Sequence, residues 1–88
     1  MYKLYLTQTF QRRVKVFLKR HPELESALID KLDLVISNPF TPLLKTHKLS
    51  GKLRSHWAIS LTYEYRILFI IENDNIYLTN IGSHDEVY

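Results

Sequence analysis

The sequence predicts an α+β domain: an N-terminal strand, a two-helix hairpin and three antiparallel strands, forming a four-stranded sheet covered on one face by the helices. The first residues alternate in polarity with a period of two. The segment after them repeats its apolar residues at helical spacing, and the final third returns to alternation interrupted by two short turns. At 88 residues the chain has room for one domain, residues 1–88, because a domain usually holds about 100 to 200 residues. A chain of this size buries only about 60% of the surface its unfolded form exposes, so a bound partner would add appreciably to its stability.

Tyr2 to Leu6 sets Tyr2, Leu4 and Leu6 against Lys3 and Tyr5, the pattern of a strand with unlike faces. From Phe10 the spacing becomes Phe10, Val14, Phe17, Leu18, which is one face of a helix, with Thr7 or Thr9 as its cap. The opposite face carries Gln11, Arg12, Arg13, Lys15, Lys19 and Arg20. His21-Pro22 breaks this helix and starts a second, since proline suits the first helical position, and Glu23 and Glu25 then face the positive end of the helix dipole. Leu24, Leu28, Leu32 and Val35 form its buried stripe, and Asn38-Pro39 ends it. Phe40 to Leu53 shows no period and reads as a loop holding Pro42, Gly51, Lys45, Lys48 and Lys52, with Arg54 just beyond. Trp57, Ile59 and Leu61 then alternate with small polar residues, Tyr63-Glu64 turns the chain, and Tyr65 to Ile71 follows as a strand. Asn73-Asp74-Asn75 is the next turn, Ile76 to Ile81 the last strand, and Gly82 to Tyr88 a polar tail.

Composition excludes several classes of chemistry. Without cysteine there is no disulfide framework and no thiolate metal site, which fits a cytoplasmic protein. The longest apolar run, Ile67 to Ile71, is far short of the roughly 20 residues that span a bilayer, and Met1 to Phe10 does not resemble a secretory leader. His21, His47, His56 and His84 lack ligand spacing, glycine-rich phosphate loops are absent, and no serine sits in a strand-turn-helix elbow, so neither a metal nor a cofactor is expected. Charge is unevenly distributed. Residues 1–54 hold eleven Lys and Arg against four acids, a net +7, while residues 55–88 hold one against five, a net −4, and together they give the overall +3. A basic half on a chain of pI about 9.3 is either a nucleic-acid footprint or a solvated basic helix surface.

Proton-active residues gather in the sheet half. Arg66 is the only Lys or Arg after Arg54 and interrupts an otherwise apolar strand, so its guanidinium needs either a structural partner such as Glu64 or Asp85, or a bound phosphate. His84, Asp85, Glu86 and Tyr88 crowd the last five residues, where the chain either frays or is docked by Val87 and Tyr88. Histidine suits general acid or base work near neutral pH. His47 in the basic loop is open to that role or to simple packing. His21 reads as a helix cap, His56 as a strand-edge residue and Trp57 as core or edge cover.

The ordered segments "HKLSG", "YEYRILF" and "IGSHDEVY" resemble, at these separations, the C-terminal half of RelE/ParE-superfamily toxins of bacterial type II toxin-antitoxin systems, nearest the YafQ and RelE branches. The preceding strand and helices match the same RelE-like fold, so the resemblance covers essentially the whole chain. It implies a ribosome-dependent endoribonuclease that cuts mRNA and is held inactive by a cognate antitoxin. Arg66 matches the strand arginine that stabilises the phosphate, His84 the His or Arg of the tail, Tyr88 the terminal aromatic, His47 the histidine of the loop, and Glu64 an acid beside the hairpin turn. Trp57 and Ile59 stand where the RelE branch has lysines, and Ser60 where a YafQ-like histidine is expected. The chain also lacks the C-terminal helix of some relatives. RNA supplies its own nucleophile, the 2′-hydroxyl, so the expected chemistry needs no metal. Arg66 would stabilise the developing charge, His47 and His84 would move protons in an order left open, Glu64 would support or orient, and Tyr88 would stack or position. Lys45, Lys48, Lys52 and Arg54, with Arg12, Arg13 and Lys15, would grip RNA phosphates without sequence preference. The alternatives are a ParE-like toxin that inhibits DNA gyrase without catalysis, and an inert relative that keeps only antitoxin binding.

Overall fold

The computed structural model describes residues 2–88. Its elements follow in the order β1 (Lys3–Leu6), α1 (Gln8–Arg20), α2 (Glu25–Ser37), β2 (His47–Lys48), β3 (Trp57–Ser60), β4 (Tyr65–Glu72), β5 (Asn75–Ser83) and α3 (His84–Val87), with single 3-10 turns at Pro22–Leu24, Pro42–Leu44 and Gly51–Leu53. The sheet is five-stranded, β1-β5-β4-β3-β2, with β1 parallel to β5 and every other pairing antiparallel. This corrects the expected four strands. The added strand is a two-residue stretch inside the basic loop, too short for a hydrophobic period to reveal it.

Thr7 is the cap of α1: its hydroxyl accepts from the Phe10 amide at 3.2 Å and donates to the Leu78 carbonyl at 2.8 Å, so one side chain fixes both the helix start and its seat on β5. The helix hairpin also differs in detail, because Pro22 opens a 3-10 turn and α2 begins only at Glu25. Phe10 and Phe17 of α1 and Leu28 and Val35 of α2 are buried against Ile59, Ile67, Phe69 and their neighbours, forming the main core on one sheet face. In β5 the buried residues change parity, from Ile76 and Leu78 to Ile81. A bulge accounts for this: Leu68 faces Asn80 while Phe69 faces Leu78, leaving Thr79 unpaired and turning Ile81 back into the same core.

The opposite face is not bare. Ala58, Leu68 and Val87 make a second, smaller buried cluster, backed by Leu49 and Leu53 of the loop. Val87 reaches it because the polar tail is in fact a capped helical turn. The Ser83 hydroxyl accepts from the Glu86 amide at 3.3 Å, and the Glu86 carboxylate accepts from the Ser83 amide at 2.8 Å. This reciprocal box satisfies two amides that would otherwise be unpaired at the helix start. It also overturns the expectation of a chain without a C-terminal helix. Gly82 permits the turn to pack so closely, since a Cβ there would lie 3.2 Å from the Glu86 Cβ and 3.4 Å from a Val87 methyl. Among the described residues no helix is long and apolar enough to cross a membrane.

The cap carries a pH dependence. Its backbone and hydroxyl hydrogen bonds from Ser83 hold the Glu86 carboxyl below the ordinary glutamate value, so the stabilisation is complete above the unfolded value of about 4.3 and fades as pH falls through the lower folded value. Acid titration followed by NMR is expected to loosen residues 83–88 before the main core, and Glu86→Gln should remove that early transition. Val87→Ala, which deletes two buried carbons, should cost about 1.5 kcal/mol at about 0.8 kcal/mol per carbon. Its clearest effect should be faster amide exchange in α3, with slower change in β4 and β5.

Candidate active site

β4 supplies the centre of the site. Arg66 lies opposite Ser60 of β3 and Gly82 of β5, in one cross-strand row on the face that carries the smaller cluster. Its guanidinium does not pair with Glu64 or Asp85. One terminal nitrogen instead donates to the carbonyls of Thr62 at 2.9 Å, Tyr63 at 3.0 Å and Tyr65 at 3.2 Å. Among the described residues no carboxylate lies within ion-pair distance of Arg66. The hairpin backbone therefore orients the group without neutralising its charge, leaving the rest of the donor fork for an anion.

β2 brings His47 to the same side, opposite Ala58. The His47 Nδ1 sits 3.2 Å from the Lys45 carbonyl and the Nε2 sits 3.2 Å from the Tyr88 hydroxyl. A carbonyl can only accept, so Nδ1 carries the proton, and in the neutral ring Nε2 is the acceptor for the Tyr88 hydroxyl. Lys45 is placed for this by a left-handed backbone, φ 52°, which ends the preceding 3-10 turn and aims its carbonyl at the ring.

α3 completes the cluster. With Val87 buried, Tyr88 follows it toward His47, and the His84 ring meets the Tyr88 ring edge-on, with centroids 4.3 Å apart. His84 is largely exposed, and its Nδ1 lies 3.5 Å from the Asp85 carboxylate. Burial raises the Tyr88 hydroxyl above its ordinary value, and the smaller opposing pull of the Arg66 guanidinium does not cancel it. Tyr88 is therefore a neutral hydroxyl at physiological pH, a donor and not a base. His47, Arg66, His84 and Tyr88 thus come together from three elements, β2, β4 and α3 with its C-terminal cap. Glu64 does not join them by contact: it is exposed at the hairpin, its amide donates to the Thr62 hydroxyl, and no hydrogen bond or ion pair ties its carboxylate to the cluster among the described residues.

The cations divide into two sets. Lys45 and Lys48 flank His47, Lys52 lines a shallow cleft shared with Tyr88, and Arg54 is exposed just beyond. The Lys48 ammonium lies 4.8 Å from the Trp57 ring centre, and Trp57 in turn packs on Phe40, so Trp57 is edge cover with a cation on it. Arg12, Arg13 and Lys15 lie on α1 and do not line the cleft shared by Lys52 and Tyr88. Arg12, Arg13 and Arg20 instead line a cleft of about 450 Å³ against β5 and Glu86, and the Arg13 Nε donates to the Asn80 side chain at 2.6 Å. Asn80 also accepts from the Ile81 amide, a double role that the sequence reading missed. His21 is structural, hydrogen-bonded to the Tyr65 hydroxyl at 3.1 Å and packed on Phe17. His56 is half-buried, which depresses its proton affinity, and its carbonyl accepts from the Leu49 amide. Among the described residues no three His, Cys, Asp or Glu are grouped to hold a metal ion.

Residues 2–88 match the family model of a bacterial toxin of a type II toxin-antitoxin system, YafQ. No curated protein matches the chain in a sequence comparison. Among solved structures, YafQ from E. coli strain BL21(DE3) has the same fold, with a TM-score of 0.86 at 17% identity over 100% of this chain and 99% of that one. A copper-bound variant of a toxin from Helicobacter pylori gives a TM-score of 0.82 at 22% identity over 100% of both chains. The E. coli DinJ-YafQ complex gives 0.83 at 17% identity, again over 100% and 99%. The family match over nearly the full length, on the fold these toxins share, means that the chain belongs to the YafQ family of type II toxin-antitoxin toxins.

Proposed function

We propose that this toxin is a metal-independent endoribonuclease that cuts mRNA on the ribosome and is neutralised by a cognate antitoxin. One observation carries the reading: an unneutralised arginine, two histidines and a protonated tyrosine converge on one face of the sheet, with the His47 Nε2 lone pair directed at the Tyr88 hydroxyl. In RNA cleavage of this kind the 2′-hydroxyl loses its proton and its oxygen bonds to the adjacent phosphorus. The phosphorus–5′-oxygen bond then breaks, and the leaving oxygen takes a proton, giving a 2′,3′-cyclic phosphate and a 5′-hydroxyl.

The residues divide the work as follows. His47, whose Nδ1 proton is held by the Lys45 carbonyl, offers Nε2 as the base once substrate displaces the Tyr88 hydroxyl. His84, exposed beside the same ring, returns a proton to the leaving oxygen. Arg66 meets the charge that develops on the phosphoryl oxygens, with its orientation fixed in advance by three carbonyls. Tyr88 donates to the phosphate or stacks on a base, and Glu64 acts at most from the rim. Lys45, Lys48, Lys52 and Arg54 hold flanking phosphates. An acidic or amphipathic antitoxin segment would find its complement in this cationic face, cover Arg66 and His84 or displace α3, and raise the melting temperature by mass action.

Arg66→Ala should lower cleavage about 10² to 10³ fold, the usual cost of removing one preorganised charge donor, whereas any single lysine change in the loop should cost far less. Primer extension on mRNA from a translating extract measures this. Growth arrest with intact transcripts and altered DNA supercoiling would favour gyrase inhibition instead. Deleting Asp85 to Tyr88 should abolish cleavage while antitoxin binding and the main core persist, because Phe10, Phe17, Leu28 and Val35 pack without the tail. Tyr88→Phe separates ring from hydroxyl: retained cleavage assigns stacking, and lost cleavage assigns donation to the phosphate.

A further inference from the structure

A third cleft, of about 330 Å³, opens between the β3–β4 hairpin and the turn that precedes β2. It shares Arg66 with the candidate active site, but neither histidine nor Tyr88 lines it. Its walls combine two unlike surfaces. Lys31, Lys45 and Arg66 supply three cations, and no carboxylate accompanies them among the described residues. Leu43 and Tyr63 supply apolar surface left to solvent, Leu43 at 69% exposure and Tyr63 at 95%, the most exposed large hydrophobic side chains described. The core explains neither, since an aromatic ring held almost wholly in water buries no area on folding.

Two links make this cleft continuous with the chemistry. Arg66 donates to the carbonyl of Tyr63 itself at 3.0 Å, so the group expected to hold the scissile phosphate also fixes the backbone that presents the ring. Lys45 lines the cleft, and its carbonyl orients His47. The Lys31 ammonium, 3.4 Å from the Leu43 carbonyl, ties α2 to the far wall.

We propose that this cleft is a nucleotide subsite: a base next to the scissile phosphate stacks on Tyr63 against Leu43, and Lys31 and Lys45 neutralise the phosphate that follows. The inference rests on the endoribonuclease reading and deepens it by naming where the substrate's neighbouring nucleotide binds. A nucleotide is a flat ring attached to an anion, and an exposed aromatic beside uncompensated cations is its complement. Charge alone would suit an acidic protein segment equally; the exposed ring favours a nucleotide, which brings a planar partner for Tyr63 together with its anion. Two cations and one ring also predict different signatures, salt dependence from the lysines and base preference from the tyrosine.

The test uses the full chain, a 2′-O-methyl RNA hexamer that cannot be cleaved, and mRNA in a translating extract. Tyr63→Ala should weaken binding of the hexamer about tenfold or more, relax the base preference at one position beside the cut, and raise the substrate concentration needed for half-maximal cleavage more than it lowers the maximal rate. Tyr63→Trp should restore all three. The joint change Lys31→Ala and Lys45→Ala should flatten the salt dependence by about 0.7 in log–log slope, the value for one phosphate contact on a single strand. Folding is not at risk in Tyr63→Ala, since the lost ring is exposed and the Arg66 contact is to the backbone. If the unmodified toxin cleaves mRNA and Tyr63→Ala cleaves it equally well with the same base preference, the subsite is overturned and the endoribonuclease reading stands. A Tyr63→Ala variant impaired in antitoxin binding alone also overturns it, in favour of a protein interface. An unmodified toxin that leaves RNA intact removes the endoribonuclease reading, and the subsite with it.

Discussion

The candidate site hangs on the burial of Val87. Its side chain enters a cluster with Ala58 and Leu68, and from that anchor Tyr88 is delivered to His47 and His84 is laid against the Tyr88 ring. A terminus so short would fray without such a contact. The anchor itself depends on Gly82, where a Cβ would crowd the Glu86 side chain, and on the Ser83–Glu86 box that makes the turn helical. Function at this end of the chain is therefore coupled to a small cluster rather than to the main core. The cluster of Ala58, Leu68 and Val87 shares no buried residue with the main core around Phe10, Phe17, Leu28 and Val35.

Arg66 shows the same economy in electrostatics. A half-buried arginine is most simply stabilised by a carboxylate, but an ion pair would cancel its charge. Here three carbonyls of the hairpin receive one terminal nitrogen. Carbonyl dipoles offset part of the desolvation cost while leaving a full positive charge on the group. Ser60, opposite it on β3, adds no competing charge. The Leu61 amide donates to the Tyr65 carbonyl and so extends the β3–β4 register by one pair, and the tight turn beyond it carries the Thr62 and Tyr63 carbonyls that Arg66 uses.

Much of this arrangement is legible in the sequence where periodicity is long enough to speak. Phe10 and Phe17, Leu28 and Val35, and Trp57, Ile59 and Leu61 all face the main core as expected. What escapes has a physical reason in each case. His47–Lys48 is too short to show alternation, and its pairing comes from the partner strand. The parity change between Leu78 and Ile81 needs a bulge that no single residue advertises. The tail is a different matter, because Ser83-x-x-Glu86 is a capping-box signature that lies open in the sequence and predicts the final turn. Of the five expected catalytic residues, the fold gathers His47, Arg66, His84 and Tyr88 and leaves Glu64 at the rim. Proximity in sequence to Arg66 could not distinguish a side chain on the inner face from one at the exposed tip. Tyr63 and Lys31 escape because an exposed turn aromatic and a lone helix lysine have no pattern until the fold sets them around one cleft.

The division of charge along the chain, +7 against −4, does not survive folding as two oppositely charged halves. Glu86, from the acidic half, reaches the α1 cleft, where the nearby Arg13 and Arg20 help hold its carboxyl ionised. Arg66, the single Lys or Arg of that half, joins the lysines of the basic loop and α2. On the α1 side, then, the cations meet a carboxylate that also caps α3, and Arg13 is engaged with Asn80. On the hairpin side Lys31, Lys45 and Arg66 surround a cleft without a carboxylate among the described residues. Uncompensated positive charge is what an incoming phosphate backbone responds to, and it falls off within about 10 Å at ordinary ionic strength. The uncompensated cations of the hairpin and loop therefore differ from the three arginines of α1, of which Arg13 is engaged with Asn80 and all three share their cleft with the Glu86 carboxylate.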